Sequence, residues 1–268
     1  RAVYEETSIH VSVGGGTNKL IAKLAVERAK PGGVHIVPPG GEAEFMRGLT
    51  LRQIPGVGPA LEETLRGMGL VTVDDALARS EAELERRLGE RRGRWLWRRI
   101  RGIDDSPVEP HSPTKSVSRE ETFPEDLTDD DLIERELLAL ATRLGADLRG
   151  KELRARTITV KLRDHDFRTR TASRTVPEPL ETDRAIYTVA RELLAKLRRD
   201  RRVGVRLLGV GASHFGDAPT QQLGLFEDGE EGAALETERD RKLARAVDDL
   251  RGRFGAGAVR PGRLVEND

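Results

Sequence analysis

Two hydrophobic rhythms divide the chain. Over residues 42–102 apolar side chains recur at helical spacing between short glycine turns, with Ala43, Met46, Leu49 and Leu51 leading and Leu61, Leu65 and Met68 following. Thr72 and Ser80 stand where helix N-caps belong, and Glu83, three residues after Ser80, completes a capping box in the pattern. From residue 114 onward, alternating stretches exchange with longer helical ones. They predict strand 114–123, helix 128–148, strand 155–162, strand 167–176, helix 182–198 and strand 203–215. That β-α-β-β-α-β order makes a four-stranded sheet with both helices on one face. Ahead of both regimes, Ile9, Val11 and Val13 alternate as a strand over residues 1–13. Gly14-Gly15-Gly16 follows, then Thr17 or Asn18 as N-cap of helix 19–29, Pro31-Gly32-Gly33 as its stop, and a short strand over Val34–Val37. A last amphipathic helix spans 237–254 with Leu243, Val247, Leu250 and Phe254 on its apolar stripe. The fold class is α+β, multidomain.

The breaks in the pattern place the boundaries. Pro107, Pro110 and Pro113 make 105–113 an extended linker between a helical domain at 41–104 and a sheet domain at 114–216. Residues 1–40 form a separate strand-and-helix segment, and 217–268 a tail. No apolar run is long enough to span a bilayer, and no membrane partner is expected. Zero Cys excludes disulfides and thiolate metal sites and fits a reducing cytoplasm; five scattered His show no ligand spacing, so no metal site is expected from this chain alone. The glycine run at 14–16 lacks the Walker spacing with a following Lys-Ser/Thr, which rules out a P-loop nucleotide triphosphatase.

Net charge is zero, 46 Lys and Arg against 46 Asp and Glu, but the charges are segregated. Residues 86–101 hold eight Arg against Glu90 alone, and residues 149–174 hold nine basic groups against three acids. Trp95 and Trp97, inside the first cluster, read as core or as platforms under arginine stems rather than as base-stacking groups. Beside that cluster lies Ile54-Pro55-Gly56-Val57-Gly58, the pattern of a helix-hairpin-helix. Its glycines let a ligand approach closely, and the Gly56, Val57 and Gly58 amides at the start of a helix opening on Pro59 suit a phosphate. An ordinary helix–helix turn is the alternative. In the sheet domain Ile158, Val160 and Leu162 point toward the helices, while Thr157, Thr159, Lys161 and Arg163 point away. Arg168, Arg170 and Arg174 share a face of the next strand or lie on an edge. Such a hydroxyl- and arginine-bearing surface, without paired aromatics, holds phosphates and sugars and has little with which to read bases. Gln222-Leu223-Gly224-Leu225-Phe226 stands alone in an acidic stretch and reads as a docking peptide.

Taken together, several ordered motifs resemble the Y-family translesion DNA polymerases of the bacterial DNA polymerase IV type, over their C-terminal three-quarters. Ser12-Val13-Gly14, Asn18-Lys19, Ala22-Lys23 and Ala29-Lys30-Pro31-Gly32 are similar to the end of that family's palm. Pro55 to Gly58 resembles its thumb hairpin, and Lys115 to Glu120 the first strand of its little finger. Val160 to Arg163, Asp166 to Thr169 and Ser173 to Thr175 continue that domain. The resemblance implies a partial palm at 1–40, a thumb at 41–104, a little finger at 114–216 and a clamp-binding tail at 217–268. Lys30 would then contact the triphosphate of an incoming dNTP. Gly56, Val57 and Gly58, with a monovalent cation, would hold the primer backbone of a primer-template DNA. Lys115, Ser116, Val117, Ser118, Lys161, Arg163, Arg168 and Arg170 would lie along the duplex. Gln222, Leu223, Leu225 and Phe226 would bind a sliding clamp, Gly224 replacing a residue the family often fills with Ser or Asp. A bacterial, nucleoid-associated cytoplasmic monomer is implied.

Nucleotidyl transfer in that family needs carboxylates that hold two Mg²⁺ ions. Only Glu5 and Glu6 precede the Ser-Val-Gly strand here, outside the family's Asp-Glu context, so the chain is expected to be an N-terminally incomplete copy that binds DNA without polymerising. Two alternatives stand beside this: a non-catalytic DNA- and clamp-binding module, and a helix-hairpin-helix nuclease or scaffold fragment, which leaves the sheet domain unexplained.

Overall fold

The computed structural model describes residues 2–110, 112–216 and 234–265. They form two compact units, Arg1–Ser112 and Pro113–Asp268.

In the first unit, helix α1 (Ala2–Thr7) occupies sequence expected to be strand. Ala, Tyr and Glu tolerate a helix, Ser8 at φ +58° ends it, and Ile9 and Val11 stay in exposed irregular chain because no strand pairs with them there. Strand β1 is only Val13–Gly15, parallel to β2 (Val34–Ile36), with helix α2 (Lys19–Ala29) crossing between them. Asn18 is the N-cap: its Oδ1 accepts from the Ile21 amide at 3.0 Å, and its Nδ2 donates to the Gly102 carbonyl at 2.7 Å. The remaining helices are α3 (Glu42–Arg47), α4 (Pro59–Gly67), α5 (Val73–Leu77), α6 (Glu81–Leu88) and α7 (Glu90–Arg99). One hydrophobic cluster joins Leu20, Ile21 and Leu24 of α2 to Met46, Ile54, Val57, Leu65, Leu84 and Leu96. Gly69 at φ +75° stops α4, with the Leu70 amide bonded back to the Leu65 carbonyl. Thr72 makes a full capping box with Asp75. Ser80 makes half of one: it accepts from the Glu83 amide, but the Glu83 carboxylate turns to Arg79 at 3.0 Å.

The second unit contains strands β3 (Ser116–Leu127), β4 (Ala155–Asp164), β5 (Thr169–Leu180) and β6 (Val205–Phe215), with helices α8 (Asp130–Gly150) and α9 (Asp183–Asp200). The strand order is β3-β6-β4-β5 and every pairing is antiparallel, so the last strand returns between the first two. Asp129 and Thr182 cap the two helices. Ile133, Leu137, Leu144, Ile186, Val189 and Leu193 from the helices pack on Ile158, Val160, Leu162, Leu208 and Val210, which puts both helices on one sheet face.

Helix α10 (Glu238–Phe254) differs from expectation in how it is oriented. Leu243, Leu250 and Phe254 are exposed and none of its residues is buried; the helix is held through its charged side. Arg149, with only 4% of its side chain exposed, bonds Asp248 of α10 at 2.6 Å and Asp183 at 2.8 Å. Just ahead of α10, the Glu236 carboxylate is buried and accepts from the Glu181 and Thr182 amides, each at 3.0 Å, and from the Thr182 hydroxyl at 2.9 Å. Burial pushes the Asp183 carboxyl above its usual range, against the pull of Arg149.

Candidate nucleic-acid interface

The hairpin is built from below. Ile54 and Val57 are buried, the Val57 amide donates to the Ile54 carbonyl at 2.9 Å, and Arg52 Nη1 bonds the Val57 carbonyl at 2.6 Å. Val57 is therefore part of the turn's own bonding and has no outward amide, contrary to expectation. Gly56 has φ +105°, and a β-carbon there would stand 2.5 Å from Cζ2 of Trp95, so Trp95 is the floor of the hairpin. Gly58 differs. It is the N-cap of α4 at φ −82°, and a β-carbon there would meet nothing within 4 Å. The amides of Gly56, Gly58, Ala60 and Leu61 have no acceptor among the described residues. Unbonded main-chain donors thus stand at the turn and at the positive end of the α4 dipole, features that favour an anion. Because a guanidinium already sits on the Val57 carbonyl, a monovalent cation would have to compete with it.

Half of the first arginine cluster is paired with acids, Arg87 with Glu83 at 4.0 Å among them. Arg94 lies among Glu81, Glu85 and Glu90, Arg98 pairs with Asp105, and Arg99 pairs with Asp104 at 3.1 Å. Arg101 lies 4.0 Å from the centroid of the Trp97 ring. Both tryptophans are half-buried against the core. Arg91 and Arg92 are exposed with no ion-pair partner among the described residues. Lys30 is exposed and bonds Glu27 at 2.7 Å.

In the second unit the sheet face away from the helices is a grid of four rows. Register sets Ser116, Ser213, Thr157 and Thr175 in the first row, and Ser118, Gly211, Thr159 and Ser173 in the second. The third holds Glu120, Gly209, Lys161 and Thr171; the fourth Thr122, Leu207, Arg163 and Thr169. Hydroxyls bond across it, Thr157 to Thr175 and Thr159 to Ser173 at 2.8 Å each, and Arg163 Nε donates to Thr169 at 3.1 Å. Glu120 reaches over Gly209 to Lys161 at 2.8 Å. Lys115 is exposed at the start of β3 and Arg168 is exposed in the β4–β5 turn.

Three expected contacts are not on this face. Arg170 is turned to the helix side, bonded to the buried Asp164 at 2.8 Å and to the Leu197 carbonyl. Alternation on β5 puts it opposite in sense to Thr169 and Thr171, and Arg174, four residues on, pairs with Glu192 of α9. Val117 packs against the core, leaving only its main chain at the sheet edge. Gln222, Leu223, Leu225 and Phe226 lie outside the described residues. What sequence reasoning missed is the hydroxyl set on β5 and β6, Thr169, Thr171, Ser173 and Ser213; the signal was the alternation of Thr and Ser with Arg and Ala along β5.

No ligand set for a metal is formed: among the described residues no group of three or more His, Asp or Glu is placed to hold one. The two Mg²⁺ ions of a nucleotidyl-transfer centre therefore have no fitting site in these residues. No helix among them is long and apolar enough to cross a membrane.

Known proteins resemble the chain along its length. Residues 52–104 match the family described as the DNA polymerase-iota thumb domain, and residues 114–225 the impB/mucB/samB family C-terminal domain. DNA polymerase IV of Caulobacter vibrioides is 37% identical over 264 residues, 98% of this chain and 63% of that protein. DNA polymerase IV of Dehalococcoides mccartyi is 36% identical over 263 residues, 98% of this chain and 65% of that one. A solved chimeric Y-family DNA polymerase, Dbh-Dpo4(243-245)-Dbh, superposes with a TM-score of 0.67 at 27% identity, covering 80% of this chain and 61% of its own. These matches make the chain Y-family DNA polymerase-like, with a helical thumb followed by a little finger. More narrowly, it is DNA polymerase IV-like. It spans 63% and 65% of those two relatives, rather than three-quarters.

Proposed function

We propose that these residues are the DNA-gripping part of a translesion DNA polymerase, holding primer-template backbone from the thumb hairpin and the little-finger sheet without reading bases. The unbonded amides of Gly56, Gly58, Ala60 and Leu61, at the turn and the start of α4, carry the reading. On the sheet, Lys115, Ser116, Ser118, Arg163 and Arg168 present hydroxyls and cations to phosphates, and Lys161 joins them when Glu120 releases it. In this reading residues 1–40 are palm, 41–104 thumb and 114–216 little finger, and Lys30 contacts the dNTP triphosphate.

Template-directed nucleotidyl transfer, a chemistry that needs two bound Mg²⁺ ions, then belongs to the whole polymerase. The 268 residues alone bind DNA and do not extend a primer, because the described residues supply no carboxylate cluster. The segment with Gln222, Leu225 and Phe226 tethers the protein to a sliding clamp. Fluorescence anisotropy on a primer-template, run beside a primer-extension assay with Mg²⁺ and dNTPs, tests this: binding without extension is expected. Extension by this chain would overturn the inactive reading, and absence of binding the whole of it.

A further inference from the structure

Phe167 occupies the β4–β5 turn in the left-handed region, φ +65°, with 65% of the residue exposed. A residue with a β-carbon is unfavourable there, and an exposed ring gains the fold little; Gly or Asn would suit the turn better. Such strain persists only where the surroundings over-determine it. They do here. The Phe167 amide donates to the Asp164 carbonyl at 2.9 Å, the Asp164 amide to the Arg168 carbonyl at 2.9 Å, and the His165 amide to the Gly204 carbonyl at 3.0 Å. Asp164, fully buried, is bonded by Arg170 at 2.8 Å and Arg201 at 2.6 Å; Arg201 also grips Asp166 at 2.8 Å. Arg170 is thereby explained: it braces the turn rather than touching DNA.

This braced turn displays one aromatic ring between cations. The Arg206 guanidinium is 4.9 Å from the ring centroid, and Arg168 is next in the chain. The turn directly follows the Arg163–Thr169 row of the open sheet face. We propose that Phe167 stacks on an unpaired base where single-stranded DNA runs off the end of that face, with Arg168 and Arg206 at the flanking phosphates. The inference rests on the backbone-gripping role assigned to the sheet. Bases in a duplex are stacked on each other and offer no free face, so the ring adds a preference for unpaired DNA that the hydroxyl grid cannot supply.

The test uses the full chain with Phe167→Leu, which keeps an apolar group, and Phe167→Trp, which keeps a ring. Two probes are compared by anisotropy: a blunt duplex, and the same duplex with an overhang carrying 2-aminopurine, whose quenching reports stacking. Phe167→Leu is expected to weaken overhang binding roughly 5- to 150-fold, the size of one base–aromatic stack, with quenching lost, the salt slope unchanged and blunt-duplex affinity intact. Phe167→Trp should restore both affinity and quenching. Overhang binding by Phe167→Leu equal to wild type, or equal losses on both probes, would overturn the inference. A wild-type chain that stacks on the overhang through Phe167 but ignores the blunt duplex would overturn the backbone-gripping role and leave the stacking standing.

Discussion

Alanine at Gly56 and at Gly58 separates a glycine kept for the fold from one kept for a ligand. At Gly56 the new β-carbon would stand 2.5 Å from the Trp95 ring on a backbone at φ +105°. Left-handed strain and overpacking together are expected to cost about 2–5 kcal/mol. At Gly58 φ is −82° and nothing lies within 4 Å of the new atom, so the fold has no steric objection. Losing Gly at an N-cap costs at most about 1 kcal/mol, partly offset by the smaller entropy of the unfolded chain. The methyl would, however, stand beside the unbonded amides at the start of α4. A hydrogen bond to a charged group is worth about 1.5–3 kcal/mol, so displacing one phosphate contact should weaken DNA binding about 10- to 150-fold. Thermal melting and anisotropy on one duplex read both quantities. Gly58→Ala that melts like wild type and binds within about twofold of it would refute the phosphate seat, whatever Gly56→Ala does.

Other outcomes follow from the charge network and the tail. Arg149→Ala leaves Asp183 and Asp248 without their buried partner and should cost about 3–5 kcal/mol, seen as a lower Tm and faster proteolysis of α10. Arg201 holds the Asp166 carboxyl down at about 2, against an ordinary Asp value of about 3.9. A depressed carboxyl stabilises the fold above its unfolded value, and that contribution fades as pH falls from about 4 toward 2; Asp166→Asn should flatten acid melting curves across that window. Replacing Leu225 and Phe226 with Ala should abolish sliding-clamp capture while leaving naked-DNA affinity unchanged, and loss of both together would discredit the docking peptide.

Local rules made much of the fold legible. The caps at Asn18, Thr72 and Ser80 and the alternation of Ile158, Val160 and Leu162 each follow from a few neighbouring residues. Strand order was not legible, because alternation fixes which side chains face in but not which strand lies beside which. Residues 1–13 misled for a related reason: alternation with no partner strand leaves Ile9 and Val11 outside any ladder. The basic clusters were overcounted. Runs of Arg look like a surface for polyanions, yet Arg94, Arg98, Arg99 and Arg170 are spent on acids a few residues away, and Arg149 and Arg174 on acids distant in sequence. What survives for the proposed DNA grip is smaller and more neutral, made of main-chain amides, Ser and Thr hydroxyls and a few free cations. The α10 stripe misled in the opposite direction, its apolar side facing out while ion pairs hold the other.

The most direct measurement is DNA affinity as a function of salt, on duplexes of unrelated sequence, for wild type and for Gly58→Ala combined with Arg163→Ala and Arg168→Ala. Wild-type affinity should fall steeply between roughly 50 and 200 mM salt and be nearly the same for every sequence, while the combined variant binds more weakly with a shallower slope. Affinity that ignores salt, or that tracks the base sequence, would contradict a protein that holds DNA by its backbone.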